Sequence, residues 1–415
     1  MGKYGERSKK YLALIFIILI FFLSIIVAWL LANYLLEKPL KTILIYEEIN
    51  FPSSILSDSI REIDYAIYDI LYNNGTSKKD ITFLSVDARF KDDFIWEFTR
   101  ILIKCNDNKL AQYIKTSLKE NLYKLNINID LRIEEEGLDI ICHIFIKDFY
   151  THQILLKIEE EAEPDKKLAK ARLAIIVDDL GYNLDVAFSL IDIDLPLSFS
   201  LLPFAPFTKT ILQELNKREI DYMLHLPMEP KGYPSVDPGP GALYEDMDEK
   251  EIIKVLLNDL CMLPGVLGVN NHMGSCFTEN TDKMIIVLKQ LKEKGLFYID
   301  SKTTSETVGY KLAKELGLKT AKRSVFLDND LTPRALQIQM ERFLNMARNN
   351  GVAIGICHPH KETLELLKKN IEKIKSGYKM LPISELVMTR KVIKGMKAHH
   401  SCASLNNSGI DIQGR

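Results

Sequence analysis

The chain has 415 residues, of which 47% are hydrophobic and 27% charged, and its formal net charge at pH 7 is −2. This length allows two domains with sizeable apolar cores, and the near-neutral charge argues against nucleic-acid binding as the main function. The six cysteines show no CxxC pair and no regular spacing, so neither a zinc knuckle nor a disulfide scaffold is indicated.

The N-terminal segment is the first predicted element. No charged residue occurs from Tyr11 to Leu36, which exceeds the roughly 20 residues that a membrane-spanning helix requires. Basic residues precede this run, so the positive-inside rule predicts residues 1–37 as a cytoplasmic N-terminus and anchor, with the rest of the chain extracytoplasmic. A cleaved signal peptide is the alternative, although no small-residue cleavage site is evident.

Residues 38–158 are expected to form a small α+β domain. Residues 42–46 and 81–85 are strand-like runs, and residues 57–71 and 93–104 carry apolar residues at helical spacing. A hairpin pattern follows, in which alternating residues 126–133 and the run 138–146 flank a turn at Glu136-Gly137. The region shows no catalytic pattern, so a spacer and a partner-binding module both remain open. The charged segment 159–172 is the predicted linker.

From residue 173 to residue 390, short apolar runs alternate with amphipathic helical segments. This alternation is typical of βα units, and seven runs predict a barrel or a strongly curved parallel sheet. The runs are Leu173–Val177, Leu197–Leu202, Tyr222–Leu226, Gly265–Val269, Leu296–Ile299, Val325–Leu327 and Val352–Cys357. Residues 391–415 are polar and are expected to be disordered.

Reactive side chains follow these runs at their carboxyl ends. The first run ends in Asp178-Asp179, a pair that is tolerable in a buried place when one carboxylate binds a cation or keeps a proton. Capping of the next helix is the alternative role of this pair. Four of the eight histidines lie near the ends of other runs or shortly after them: His225, His272, His358 and His360.

These side chains predict a metal site, because the carboxyl ends of parallel strands converge on one face. Aspartate with imidazole suits Zn²⁺ or a similar divalent ion that keeps one position for water. Such an ion lowers the pKa of its water, a free carboxylate accepts the proton, and a histidine protonates the leaving group. The predicted chemistry is hydrolysis of an amide or an ester.

Residues 173 to about 387 resemble the divergent polysaccharide deacetylase family, which is related to the NodB-type carbohydrate esterases. The resemblance rests on five motifs: Ile176-Val-Asp-Asp-Leu-Gly-Tyr182, His225-Leu-Pro-Met-Glu-Pro230, Asn270-Asn-His-Met-Gly-Ser275, Phe297-Tyr-Ile-Asp-Ser301 and His358-Pro-His360. It implies an α/β fold, a distorted (β/α) barrel of about seven parallel strands, with a bound zinc ion.

The resemblance also implies roles for individual residues. Asp178 resembles the catalytic base, Asp179 the metal ligand and His358 the general acid, which His360 supports or replaces. His272 and His225 are the expected histidine ligands, although one of the final histidines is an alternative to His225. Three further residues are expected to bind substrate or to orient the ligands, with a turn-forming role as the alternative for the first two: Asn271, Ser275 and Asp300.

The chain departs from the NodB pattern at two motifs, since His-Ser/Thr-x-x-His and Arg-x-Pro-Tyr-Gly are both absent. Cys276 follows His272 by four residues, and Cys276 and Cys357 are either thiolate ligands or structural residues. The expected function is removal of acyl groups from a cell-envelope polysaccharide. Two alternatives are an inert glycan-binding or scaffold protein that retains the metal, and a metal-dependent phosphoesterase. The sequence does not indicate an oligomeric state.

Overall fold

The computed structural model describes residues 55–73, 76–77, 79–91, 94–158 and 170–388, which form two sheets with their helices. The predicted anchor, most of the predicted linker and the predicted C-terminal tail lie outside the described residues.

The first sheet has five strands in the order β1-β2-β5-β4-β3. Strands β3 and β4 form the predicted hairpin, in which Glu136 lies opposite Asp139. The prediction of a helix over residues 93–104 is wrong, because this segment forms β2 and its pairing with β1 and β5 outweighs the local helical spacing. The second helix buries residues at helical spacing, including Ile114 and Leu118, and its N-cap Asp107 accepts a hydrogen bond from the Leu110 amide. The elements are α1 Ile55–Asn73, β1 Ile81–Lys91, β2 Phe94–Cys105, α2 Asn108–Lys124, β3 Ile129–Glu136, β4 Asp139–Ile146 and β5 Phe149–Ile158.

The second sheet is parallel throughout, in the order β11-β10-β9-β8-β7-β6-β13-β12, with β14 added to β6. Its strands are β6 Arg172–Leu180, β7 Ser198–Leu201, β8 Tyr222–Met228, β9 Gly268–Met273, β10 Phe297–Asp300, β11 Thr320–Lys322, β12 Val325–Phe326, β13 Val352–Cys357 and β14 Lys379–Met380. Its helices are α3 Leu184–Ile191, α4 Thr208–Lys217, α5 Glu249–Met262, α6 Thr281–Glu293, α7 Gly309–Glu315, α8 Pro333–Asn350, α9 Lys361–Gly377 and α10 Ile383–Val387.

The two edges of this sheet are joined by one short segment, because the edge strands β11 and β12 are consecutive in sequence. The amide of Arg323 donates to the Asp300 carbonyl at one edge (2.9 Å), and the amide of Ser324 donates to the Ile354 carbonyl at the other (2.8 Å). The curved sheet is therefore an incomplete (β/α) barrel. Each of the seven predicted apolar runs overlaps one of its strands.

Strand alternation divides the side chains between two apolar regions. Ile176, Met223 and Ile356 belong to a small cluster inside the curve, whereas Ile175 and Val177 pack outward in the large core that includes residues of the helices. Gly268 is required by this crowding, since a Cβ there would lie 2.2 Å from the Phe297 ring. At the carboxyl ends of the strands, the same inward alternation continues with polar residues.

The predicted localisation as a single-pass membrane protein is corrected by the structure. Among the described residues, no helix combines the length and the apolar composition that crossing a bilayer requires. The segment on which that prediction rested, residues 11–36, lies outside the described residues.

Asp259 on α5 is a buried carboxyl group whose two oxygens have no hydrogen-bond partner among the described residues. Burial raises the pKa of Asp259 well above its usual range. The native side chain therefore keeps its proton at pH values where the unfolded chain releases it, so the free energy of unfolding falls as pH rises above about 4.

Asp259→Ala is accordingly expected to raise the free energy of unfolding by about 1–2 kcal/mol at pH 8, with a smaller gain at pH 5. Urea unfolding at the two pH values measures this difference. Glu249→Ala, which removes an exposed acid of the same helix, is the control. An equal gain at both pH values would show that Asp259 is ionised in the native state.

Candidate metal centre and active site

The carboxyl ends of the barrel strands bring a layer of polar side chains together. On each strand these residues continue the inward alternation of the apolar cluster, and most of them are almost completely buried. The layer consists of Asp178, Ser200, His225, Asn270, His272, Ser301, Asp328 and His358.

Asp179 joins this layer through a break in the strand. Consecutive residues of a regular strand point to opposite faces, so Asp178 and Asp179 cannot both face inward without a local distortion. The pairing of β6 with β7 is irregular between Val177 and Leu180, and Asp179 has a left-handed φ of 55°. This bulge turns both carboxylates toward the same site.

Asp179, His225 and His272 form a group of three buried ligand atoms. His225 Nε2 and His272 Nδ1 each lie 2.9 Å from Asp179 Oδ1, and the two nitrogens are 3.2 Å apart. Three ligands of one tetrahedral ion at 2.0–2.1 Å stand roughly 3.3 Å from one another. The spacing therefore fits a divalent ion of the size of zinc.

The hydrogen bonding of this group also fits a metal. Neither oxygen of Asp179 accepts an aligned hydrogen bond from any described residue, although the carboxylate is fully buried. His225 Nδ1 lies 3.2 Å from Asn270 Oδ1, which accepts the ring N–H and leaves a lone pair on Nε2. The group thus presents lone pairs to one point, and such an arrangement is stable when a cation occupies that point.

Charge within the group is strongly perturbed. Burial opposes ionisation of Asp179, but His272 and His225 outweigh it and hold the pKa of Asp179 well below its usual range. Burial likewise opposes the charge of His225, and the two carboxylates outweigh it and raise the pKa of His225. Asp179 is therefore ionised at neutral pH, as a metal ligand must be.

Asp178 differs from its neighbour in both contacts and charge. Its two oxygens accept hydrogen bonds from Asn270 Nδ2 at 3.0 and 2.9 Å, and its Oδ2 lies 3.8 Å from His225 Nε2. Burial, together with the charge of Asp179, raises the pKa of Asp178 to about 6. A carboxylate with a raised pKa beside a metal group is suited to accept a proton at neutral pH.

Asn270 connects the parts of the site. Its Nδ2 donates to Asp178 and to Ser301 Oγ (3.1 Å), while its Oδ1 accepts from Ser200 Oγ and His225 Nδ1. The amide therefore fixes the proposed base and the tautomer of one ligand at the same time.

Asn270→Ala is expected to weaken metal binding by about 10- to 100-fold, because His225 loses the acceptor that orients it. Competition with a chelator of known affinity measures the change. Asn271→Ala is the matched control, since this neighbouring buried amide bonds Tyr298, Ser301 and Met273 instead of the ligands. Equal weakening in both variants would refute the orienting role of Asn270.

His358 faces the group from the other side of Asp179, with its Nε2 3.9 Å from Asp179 Oδ2. Its Nδ1 lies 2.9 Å from Asp328 Oδ1, and Asp328 Oδ2 accepts hydrogen bonds from the His358 amide (2.7 Å) and from Thr363 Oγ1 (2.6 Å). This buried pair directs Nε2 toward the site. The His360 ring is 6.3 Å from that of His358, and burial lowers the pKa of His360.

Three of the residues predicted to line the site have other partners. Asn271 lies on the outward face of β9, and Asp300 accepts hydrogen bonds from the Lys302 and Tyr310 amides and from Thr307 Oγ1. Ser275 Oγ accepts from the Lys231 amide. The expected contact of Asp300 with a histidine is corrected, because strand alternation places Asp300 outward and Ser301 inward.

The two cysteines near the site are not arranged as ligands. Cys357 packs in the outward core, and burial raises the pKa of its thiol. Cys276 Sγ lies 3.5 Å from Glu245 Oε2, and burial, with the charge of Glu245, raises the pKa of this thiol to about 12. Neither thiol belongs to the group of ligand atoms formed by Asp179, His225 and His272, so both fit the structural role.

Three of the residues that organise the site were not assigned a role from the sequence. Asn270, Ser301 and Asp328 each follow or end a predicted strand, which was the available signal. In β10, β12 and β13, the last apolar side chain that points inward is followed two residues later by Ser301, Asp328 and His358, respectively.

Comparisons with known proteins identify similar chains. Residues 175–387 match the family model described as divergent polysaccharide deacetylase. An uncharacterized protein of Haemophilus influenzae is 29% identical over 225 residues, which cover 54% of this chain and 80% of the relative. The uncharacterized protein YibQ of Escherichia coli K12 is 29% identical over 216 residues, which cover 52% and 67%.

One solved structure shares the fold. An uncharacterized protein of Agrobacterium tumefaciens C58 superposes with a TM-score of 0.51 and 23% sequence identity, over 54% of this chain and 92% of that protein. At this identity, the likeness concerns the fold alone.

Proposed function

The chain belongs to the divergent polysaccharide deacetylase family, and on that basis we propose that it is a metal-dependent hydrolase that removes acetyl groups from a cell-envelope polysaccharide. The observation that carries the proposal is that the two oxygens of Asp179 face different groups. One oxygen of this carboxylate faces two histidines, and the other faces a histidine that is held by Asp328.

Asp179, His225 and His272 would hold the ion, for which zinc is the proposed identity. When bound, a divalent ion polarises the acyl carbonyl and lowers the pKa of water. Asp178 then accepts the proton of the attacking water, for which its contact with Asn270 fixes the carboxylate orientation.

His358 would complete the reaction by proton donation from Nε2 to the leaving amine or alcohol. Asp328 Oδ1 accepts a hydrogen bond from Nδ1–H and stabilises the charged imidazole before that transfer. Cleavage of the C–N or C–O bond then yields acetate and the free amine or hydroxyl. His360 is close enough to modulate His358, and we assign it that supporting role.

Exposed aromatic rings support a sugar substrate. Tyr233, in the Pro- and Gly-rich segment after β8, is 43% exposed and its ring lies 4.9 Å from that of Tyr244. Tyr182, three residues after Asp179, is half-buried, and its pKa is raised first by burial and further by the charge of Asp179. Flat apolar rings suit stacking against a sugar ring with hydroxyl groups.

The test is metal content together with acetate release from the purified full chain, on acetylated glucosamine oligomers and peptidoglycan. The proposal predicts about one zinc ion per chain and release that EDTA abolishes. Metal without turnover would favour an inert glycan-binding protein, and absence of metal would contradict the site.

A phosphoesterase is less well supported by the contacts. Phosphate sites usually bring lysine or arginine to the anion. Lys302, which follows the inward Ser301, forms an ion pair with Asp87 of the first sheet instead.

A further inference from the structure

The small α+β domain contacts the loops that carry the polar layer of the barrel. Asp87 of β1 pairs with Lys302, which directly follows Ser301, and Glu97 of β2 accepts a hydrogen bond from Asn329 Nδ2 (2.8 Å). Asn329 directly follows Asp328. Asp87 and Glu97 of the small domain therefore bind residues that directly follow two members of the polar layer.

The segment from Asp328 to the start of α8 has two more such contacts. Arg61 NH1 of α1 lies 2.7 Å from Asp330 Oδ2, and the Tyr65 hydroxyl lies 3.0 Å from Thr332 Oγ1. Thr332 is the N-cap of α8, with proline at the first helical position. The small domain thus fixes the whole turn between Asp328 and this helix.

Helix α8 is held along its buried face as well. Arg342 is fully buried, pairs with Asp64 of α1 and lies 3.9 Å from Glu97 Oε2, and the Phe83 amide of β1 donates to Asn345 Oδ1 (3.1 Å). This helix connects β12 to β13, and so it joins Asp328 to His358. Both members of the proposed acid pair are attached to an element that the small domain binds.

We propose that the small domain is a positioning module for the Asp328–His358 pair and that Glu97 is its principal positioning residue. The inference rests on the proposed function, because it assigns a catalytic consequence to this contact. An active-site group must be held to within about 0.5 Å of its productive place by fixed neighbours, and small displacements cost rate. Glu97 supplies that restraint through Asn329 and Gln339 (3.2 Å).

A second ion pair between α1 and α8 provides a control that distinguishes positioning of the Asp328–His358 pair from simple attachment of the small domain to the barrel. Asp69 of α1 pairs with Arg334 of α8 at 2.6 Å, close to the Arg61–Asp330 pair in sequence but exposed. Arg334 also donates to the Tyr65 carbonyl (3.3 Å) and lies over the Tyr65 ring, contacts that Asp69→Asn leaves in place. Asp69→Asn is therefore a matched control for loss of an interdomain contact.

The experiment compares Asn329→Ala, Glu97→Ala, Glu97→Gln and Asp69→Asn in the full chain. We expect Asn329→Ala and Glu97→Ala to lower kcat about 10- to 100-fold with KM within twofold of wild type. Glu97→Gln retains an acceptor for Asn329 and should restore kcat, although loss of its charge beside Arg342 lowers the unfolding midpoint. Unchanged kcat in Asn329→Ala, or kcat losses that follow stability across all four variants, would overturn the proposal.

A spectroscopic readout keeps the test independent of turnover. In protein labelled with ¹⁵N-histidine, the proton between His358 Nδ1 and Asp328 should give a low-field resonance, assigned by its absence in His358→Gln. We expect Asn329→Ala to shift or broaden this resonance and Asp69→Asn to leave it unchanged. If wild type lacks turnover, the proposed function fails, and this resonance still decides whether the small domain positions the pair.

Discussion

Asp179→Asn is expected to abolish binding of the proposed metal and to reduce the proposed deacetylation on the order of 10³-fold or more. Asparagine keeps the size of the side chain and tolerates the left-handed backbone at this position (φ 55°), so the fold should persist. It removes the negative charge that lies 2.9 Å from both histidine ligands. Metal analysis after dialysis and initial rates of acetate release measure the two effects.

Asp300→Asn is the matched control, because it changes a buried carboxylate that ends β10 of the same sheet and faces outward. This variant should lose some stability and keep its metal. If Asp179→Asn retained stoichiometric metal, or if Asp300→Asn lost it, the ligand assignment would be wrong.

His358→Gln is expected to lower turnover on an N-acetylated sugar by about 10²- to 10⁴-fold while metal content stays at the wild-type value. The reason is that the leaving amine loses its proton donor, whereas the three metal ligands are untouched. Asp328→Asn should act in the same direction, since it removes the negative charge that stabilises the protonated imidazole, whose Nδ1 lies 2.9 Å from Asp328 Oδ1.

An aryl acetate provides the decisive comparison for His358, because a phenolate leaves without protonation. The loss in His358→Gln should be much smaller on this substrate than on the amide. Asp178→Asn, which removes the proposed base, should be impaired on both substrates. Equal losses on amide and aryl ester in His358→Gln would exclude the role of general acid.

The barrel could be predicted from the sequence because its strands are buried on both faces. Runs such as Leu173–Val177 and Val352–Cys357 are almost wholly apolar and are separated by helical patterns, and each became a strand of the parallel sheet. The predicted fourth run began at Gly265, whereas β9 begins at Gly268. Residues 264–265 form a turn instead, with Gly265 at a φ of 92°.

The composition of the site was less predictable because it depends on which face each side chain takes. Asp300 and Asn271 have suitable chemistry but point outward, while Ser301 and Asn270 point inward. Strand alternation resolves these cases once the inward register is known. Alternation does not predict Asp179, because the bulge that turns it inward breaks the rule.

No local sequence pattern predicted the contact between the small domain and the residues next to the site. Glu97 and Asn329 are separated by 232 positions, and each is an ordinary polar residue in its own segment. Their pairing depends on how two sheets pack, which periodicity and motifs do not encode.

The place of β6 in the sheet has a consequence for biosynthesis. One edge of this strand pairs with β13, where Arg172 lies opposite Val352, a residue that the ribosome adds 180 positions later. At about 5–20 residues per second, the apolar run from Leu173 to Val177 waits roughly 10–40 s with that edge unpaired. An unpaired apolar edge templates aggregation, so the nascent chain is most exposed to misassembly, and most in need of chaperones, during this interval.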